Sequence, residues 1–165
     1  MMMKTTFTTE RLIASAMTRD DQYELFPIWS DPAVTKWMNI EPFETVEEAR
    51  AMIDWMNDQP DAIRYTVRCE GEVLGSCGFQ QMTETAAEIG YELKKSAWRQ
   101  RFGTEIVDAL LRLARQTEWT HVVAWIDEQN EPSIRLVERF GFTPDGTRAE
   151  DGTVRYVFRL TDPSV

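Results

Sequence analysis

The chain has 165 residues, 42% of them hydrophobic and 28% charged, which fits one domain spanning 1–165 with enough core to fold unaided. Eighteen Lys and Arg against 28 Asp and Glu leave a net charge of −10, which excludes an extended nucleic-acid face and is compatible with a cationic or amine substrate. The longest apolar run, Val122 to Ile126, is five residues where a membrane span needs about 20, and MMMKTTFTTER has no apolar signal core, so a cytoplasmic protein is expected.

Phe7, Leu12 and Ile13 make residues 7–14 a first strand. Thr18-Arg19-Asp20-Asp21 then offers a cap and early acids for a helix through Tyr23, Leu25, Phe26 and Trp29, which Asp31-Pro32 stops or offsets. Thr45-Val46-Glu47-Glu48 resembles a capping box, with Ala49, Met52, Ile53 and Met56 following at helical spacing. Trp29 and Trp55 are expected in the core of this helical region. Tyr65, Val67 and Cys69 alternate, Glu70-Gly71-Glu72 turns the chain, and Val73 to Phe79 returns as the second arm of a hairpin. In that register Cys77 does not face Cys69, so no disulfide is expected. Two cysteines and one histidine are also a poor ligand supply, and no metal is expected.

Residues 87–93, AEIGYEL, alternate with Glu88, Gly90 and Glu92 on one face and Ile89, Tyr91 and Leu93 on the other. A helix over 102–117 carries its apolar stripe on Ile106, Val107, Leu110, Leu111 and Ala114. His121 reads as a strand-start residue before strand 122–126. Pro132 opens a helix bearing Ile134, Val137 and Phe140, Gly141 ends it, and 153–160 closes the chain as a strand. The order β, two helices, hairpin, β, helix, β, helix, β is an α/β arrangement in which some pairing is parallel and helices cover the sheet.

Two stretches carry chemistry. In EIGYELKKSAWRQRFGT (88–104), Lys94, Lys95, Arg99 and Arg101 gather before a helix start, where free N–H groups and the helix dipole attract anions. On residue chemistry alone, a solvated basic loop explains them equally well. Asn130 and Ser133 open the next helix, where both residue types are also ordinary caps.

Taken in order, TERL at 9–12, SDPAV at 30–34, LGSCGF at 74–79, AEIGYEL at 87–93 and N-x-x-S-x-x-L-x-E-R-x-G-F at 130–142 make the chain resemble the GCN5-related N-acetyltransferase (GNAT) superfamily. It looks most like the RimJ/RimL branch, which acetylates N-terminal alanines of ribosomal proteins. The resemblance implies a single mixed, mostly antiparallel sheet, splayed at the cofactor site and flanked by helices. It also implies transfer of an acetyl group from acetyl-CoA to a primary amine, on a protein N-terminus or a small molecule, by direct attack.

Carried over residue by residue, the strand with Tyr91 and Leu93 lines the pantetheine arm. Arg99, Gln100, Arg101, Phe102, Gly103 and Thr104 cradle the pyrophosphate. The family pattern there is Q/R-x-x-G-x-G/A; here Gly103 keeps the last small residue, while Trp98 and Arg101 stand at the first position and the middle glycine. Arg101 either replaces backbone contacts with a charge-assisted one or obstructs the site. Asn130 and Arg139 would also touch the cofactor, and Ser133 would meet the sulfur and protonate the departing thiolate. A carboxylate acting through water would serve as base, with Glu92 ranked above Glu88. Trp37 would line the acceptor pocket, and Cys77 reads as a buried strand residue. No covalent enzyme intermediate is required. Neither nucleic acid nor membrane is an expected partner, and the protein would be a monomer or homodimer. The rival readings are an acyltransferase for another acyl-CoA, a CoA-binding module without turnover, and, more remotely, a nucleotide-binding domain, for which a glycine-rich phosphate loop is lacking.

Overall fold

Alternating burial along the middle of the chain builds a sheet that helices cover on both sides. The computed structural model describes residues 3–160; positions 1, 2 and 161–165 of the expected 1–165 domain lie outside the described residues. The strands are β1 (Thr6–Thr8), β2 (Ile13–Ala16), β3 (Ile63–Cys69), β4 (Glu72–Gln80), β5 (Ala86–Leu93), β6 (His121–Asp127), β7 (Thr143–Arg148) and β8 (Thr153–Arg159). The α-helices are α1 (Gln22–Trp29), α2 (Pro32–Thr35), α3 (Val46–Asp58), α4 (Phe102–Arg115) and α5 (Glu131–Phe140). One eight-stranded sheet runs β1-β2-β3-β4-β5-β6-β8-β7. Every pairing is antiparallel except β5 with β6, so the sheet is mixed and mostly antiparallel, as expected.

The β3–β4 hairpin turns through Glu70 (φ 51°) and Gly71 (φ 82°), the paired positive φ that a tight two-residue hairpin requires. Cys69 lies opposite Glu72 and Cys77 opposite Tyr65, which keeps the two thiols out of register. Burial lifts the Cys77 thiol to about 12, leaving it inert as a nucleophile.

One face of the sheet packs Tyr65, Cys77, Phe79 and Ile89 against Ile106, Val107 and Leu110 of α4 and Leu136 and Val137 of α5. The other core gathers Leu25, Ile28, Trp29, Ala49 and Ile53 of α1 and α3 beneath Val73. Covered on both sides, β4 is buried from Val73 to Phe79, its polar Ser76 included.

Several sequence expectations need correction. The first strand is two strands, because Thr9 and Leu12 close a tight turn: Thr9 N donates to the Leu12 carbonyl (2.9 Å) and Leu12 N donates to Thr9 Oγ1 (3.1 Å). Ile13, one of the apolar residues that mark the first strand, opens β2 and is 58% exposed. Trp55 is 61% exposed and not in the core, since it falls two positions after buried Ile53 and so on the opposite side of α3. Strand β7 has no apolar alternation to betray it; every residue of this edge strand is exposed, and its place is set by pairing with β8. The long helix ends at Arg115 and the last strand at Arg159, slightly earlier than read.

Candidate active site

Parallel pairing of β5 with β6 covers only Ala86–His121, Ala87–Val122 and Glu88–Val123. Both strands continue past that point, β5 to Leu93 still paired with β4, and β6 to Asp127 still paired with β8. The sheet therefore parts beyond Glu88, and the backbone edges facing this gap are available to a guest.

The two faces of β5 present different chemistry at the gap. Tyr91 points to the α4–α5 side, where its hydroxyl lies 2.8 Å from Ser133 Oγ in the first turn of α5. Burial pushes the Tyr91 phenol up to about 12, against the smaller lowering by Ser133, so it keeps its proton throughout the neutral range. Asn130 caps α5 through Oδ1, which accepts from Ser133 N at 3.4 Å. Asn130 is thus the cap and Ser133 the residue whose backbone it caps, which leaves the Ser133 hydroxyl aimed at Tyr91.

Glu88 and Glu92 occupy the opposite face, toward α1. Glu92 is only 8% exposed. Its carboxylate accepts from Trp29 Nε1 (2.9 Å) and Arg64 Nη2 (3.0 Å), and from Ser76 Oγ. Arg64 also donates to Ser76 Oγ (2.7 Å) and the Gly90 carbonyl (3.3 Å), and a Cβ on Gly90 would stand 3.1 Å from its Nη1. Glu88 is less committed: Gln80 Nε2 donates to it at 2.8 Å. Burial raises its carboxyl above the ordinary range, outweighing the Gln80 hydrogen bond and the Arg64 charge. The two glutamates that the sequence offers as bases thus differ in their partners: Glu92 is held by three side chains and Glu88 by one.

The loop from β5 to α4 is the second half of the site. Arg99 (φ 62°) and Arg101 (φ 66°) both hold left-handed backbone, a conformation ordinarily left to glycine, and Arg101 is the residue before α4. Phe102, Gly103 and Thr104 open the helix with N–H groups that have no intrahelical acceptor. Lys95, Arg99 and Arg101 are exposed and take part in none of the ion pairs among the described residues. Lys94, counted in the basic cluster, is instead paired with Glu72. Gly103 is small for packing reasons, because a Cβ there would come within 3.0 Å of Leu136 of α5.

Sequence reasoning quoted Arg11 within TERL but gave it no role in the site. Its Nη2 donates to the Gln100 carbonyl at 2.7 Å, its Nε bonds Glu105 of α4, and its guanidinium stacks 4.0 Å over the Phe102 ring. Among the remaining predicted residues, Leu93 accepts through its carbonyl from Trp98 Nε1 at 2.8 Å, and Arg139 is an exposed charge in the last turn of α5. Trp37 is half-buried beneath the Lys36 ammonium, 4.6 Å from its ring. A hollow of about 410 Å³ next to it is lined by Pro32, Thr35, Lys36, Asn39, Ile40 and Glu41 among others, not by Trp37 itself.

Residues 11–143 match the family model described as an acetyltransferase (GNAT) domain. An uncharacterized N-acetyltransferase, p20, from Bacillus licheniformis is 36% identical over 149 residues, covering 86% of this chain and 84% of that protein. Among solved structures, spermidine N-acetyltransferase from Vibrio cholerae in complex with CoA and spermine superposes with a TM-score of 0.81 at 14% identity, covering 92% of this chain and 97% of that one. RimL, a ribosomal L7/L12 alpha-N-protein acetyltransferase in complex with coenzyme A, gives 0.80 at 21% identity, covering 92% and 95%. The parted sheet, the helix-start loop and the matched domain agree: the chain belongs to the GNAT acetyltransferase family.

Proposed function

We propose that the protein transfers the acetyl group of acetyl-CoA to a primary amine, by direct attack and in the manner of the RimJ/RimL branch. The observation that carries this reading is the gap beyond Glu88, with a raised-pKa carboxylate on one face and a Tyr91–Ser133 hydroxyl pair on the other. The loop and helix start suit the anionic half of CoA: free amides from Phe102 to Thr104, and Lys95, Arg99 and Arg101 as side-chain cations. Tyr91, Leu93, Gln100, Asn130 and Arg139 complete the proposed cofactor contacts. Arg101 replaces the backbone approach that glycine would permit.

Acetyl-CoA, the co-substrate, supplies an activated carbonyl. Glu88 removes a proton from the ammonium, directly or through water, so that a neutral amine nitrogen can attack; its raised pKa suits it to this task at neutral pH. Backbone amides along the open edge of β5 stabilise the oxyanion. As the carbon–nitrogen bond forms and the carbon–sulfur bond breaks, Ser133 gives a proton to the thiolate, with the Tyr91 hydroxyl behind it at 2.8 Å. Glu92, bound to Trp29, Arg64 and Ser76, fixes the wall of the acceptor side rather than moving protons.

The complexes of the two structural relatives, one with spermine and one named for a protein N-terminus, support an amine acceptor of either kind. The surplus of acidic residues favours a cationic acceptor. Incubating the protein with acetyl-CoA and a panel of N-terminal peptides and polyamines, and following the mass gain of one acetyl group, tests the reading. Transfer to at least one amine, lost in Glu88→Gln, is expected. Tight CoA binding with no transfer to any amine would instead favour a CoA-binding module without turnover, and preference for a longer acyl-CoA would change the donor.

A further inference from the structure

We propose that Arg11, assisted by Thr9, is a positioning residue that holds the phosphate-side loop in its binding shape before any ligand arrives. The inference rests on the reading of that loop as the CoA-binding segment. Gln100 lies between the two left-handed arginines, and its carbonyl is the acceptor for Arg11 Nη2 at 2.7 Å. The same guanidinium bonds Glu105 in the first turn of α4 through Nε and covers the Phe102 ring at 4.0 Å. Thr9 Oγ1 donates to Glu105 Oε1 at 2.6 Å, and the Arg11 backbone N–H donates to the same oxygen at 3.1 Å. One short turn between β1 and β2 therefore grips the loop on both sides of Arg101.

The grip has a physical purpose. Left-handed backbone is disfavoured at a non-glycine residue, because its Cβ crowds the following carbonyl oxygen. A loop carrying two such residues keeps its shape only when neighbouring contacts over-determine it. Gln100 adds a local brace, with Nε2 donating to the Ser96 carbonyl at 2.8 Å, but among the described residues only Arg11 ties the loop to another element and to α4 at once. Glu105 is well set for the role. Burial works to raise its carboxyl, yet the Thr9 hydroxyl and the Arg11 contacts outweigh it and hold the group below the ordinary carboxylate range, so it is ionised at neutral pH.

The test compares wild type with Arg11→Ala, Arg11→Lys and Glu105→Gln. The readouts are hydrogen exchange of the loop's junction with α4, read in unliganded protein at the amides of residues 105–107, of which Glu105 N donates to the Arg101 carbonyl at 3.2 Å, and calorimetric titration with CoA. Exchange at this junction should rise about tenfold or more in Arg11→Ala, with exchange in β3 and β4 unchanged, because charge-assisted contacts are lost locally. The CoA dissociation constant should rise about 10- to 100-fold, while kcat at saturating acetyl-CoA stays within about threefold. Arg11→Lys, which keeps the charge but cannot reach Gln100 and Glu105 together, should fall between the two. Glu105→Gln should loosen the same amides, and it carries the test if Arg11→Ala fails to fold. Unchanged junction exchange in both Arg11→Ala and Glu105→Gln overturns the inference. Wild-type protein that binds no CoA removes the CoA reading of the loop, while the exchange measurement still decides whether Arg11 shapes it.

Discussion

Glu88 and Glu92 stand on one face of β5 and meet opposite surroundings, so the same substitution should do opposite things. Glu92 is the acceptor in a buried ion pair with Arg64, whose Nε already lacks a partner among the described residues. Glu92→Gln would leave the guanidinium without its counter-charge, and breaking such a pair costs about 3 kcal/mol or more. A clear fall in the denaturant midpoint is the expected result; an unchanged midpoint would remove the structural role. Glu88 has a raised carboxyl, so its protonated form is the one the fold prefers. Its contribution to stability is complete below the unfolded carboxylate pKa and is lost as pH rises through the folded value. Ionised Glu88 is therefore a cost to the fold at neutral pH. Glu88→Gln should melt above wild type at pH 7, and the gap should close in acid, where wild-type Glu88 is protonated too. The same variant should lose about 10²- to 10⁴-fold in acetyl transfer as a missing general base. The acidic limb of the wild-type pH–rate profile should lie above the ordinary carboxylate range and vanish in the variant. Stability gained with activity lost is the signature of a group strained for function.

At the scale of elements, the loop into α4 concentrates both strain and charge. Arg101→Gly removes a left-handed arginine just before Phe102, which should raise unfolding free energy by up to about 1 kcal/mol, less the entropy glycine adds to the unfolded chain. It also removes a guanidinium from the proposed phosphate side, and CoA affinity should fall about tenfold. Denaturation and titration of the same variant check both, and undiminished CoA affinity would take Arg101 out of the phosphate contacts. Much of this architecture was legible beforehand. The hairpin showed in alternating Tyr65 and Val67 and the turn at Glu70-Gly71, and α4 showed in its apolar stripe, because local periodicity encodes local structure. The edge strand β7, with Pro144 and a positive-φ Gly146, carries no such pattern and is defined by its partner alone. The site was half legible for the same reason. A helix start behind basic residues can be read locally, and so can the Glu88–Gly90–Glu92 face. The bonds that give these residues different jobs span 63 positions from Trp29 to Glu92 and 94 from Arg11 to Glu105, beyond any local spacing rule.

For the molecule as a whole, one sheet divides two cores, and the site lies where that sheet is least continuous. β6, β8 and β7 are joined to the rest of the sheet through three residue pairs of β5 and β6, with α4 and α5 packed across the seam. Under the proposed acetyl transfer, this arrangement would let the two substrates approach from opposite faces, with the charge distribution sorting them. A net charge of −10 repels a polyanion in general, yet Lys95, Arg99 and Arg101 make one cationic entry at the start of α4. Exposed attractions of this kind act over roughly a Debye length, about 10 Å at 0.1 M salt and about 3 Å at 1 M. CoA binding should therefore weaken steadily as salt rises from low to high concentration, and steering by the loop should make the association rate fall with it. Pantetheine, which carries the thiol arm without the phosphates, should bind weakly but with little salt dependence. Arg99→Ala combined with Arg101→Ala should flatten the CoA slope toward that of pantetheine. Titrations of both ligands across the salt series decide the point: a CoA slope as flat as that of pantetheine in the wild-type protein would mean that the amides opening α4, and not the arginine side chains, hold the phosphates.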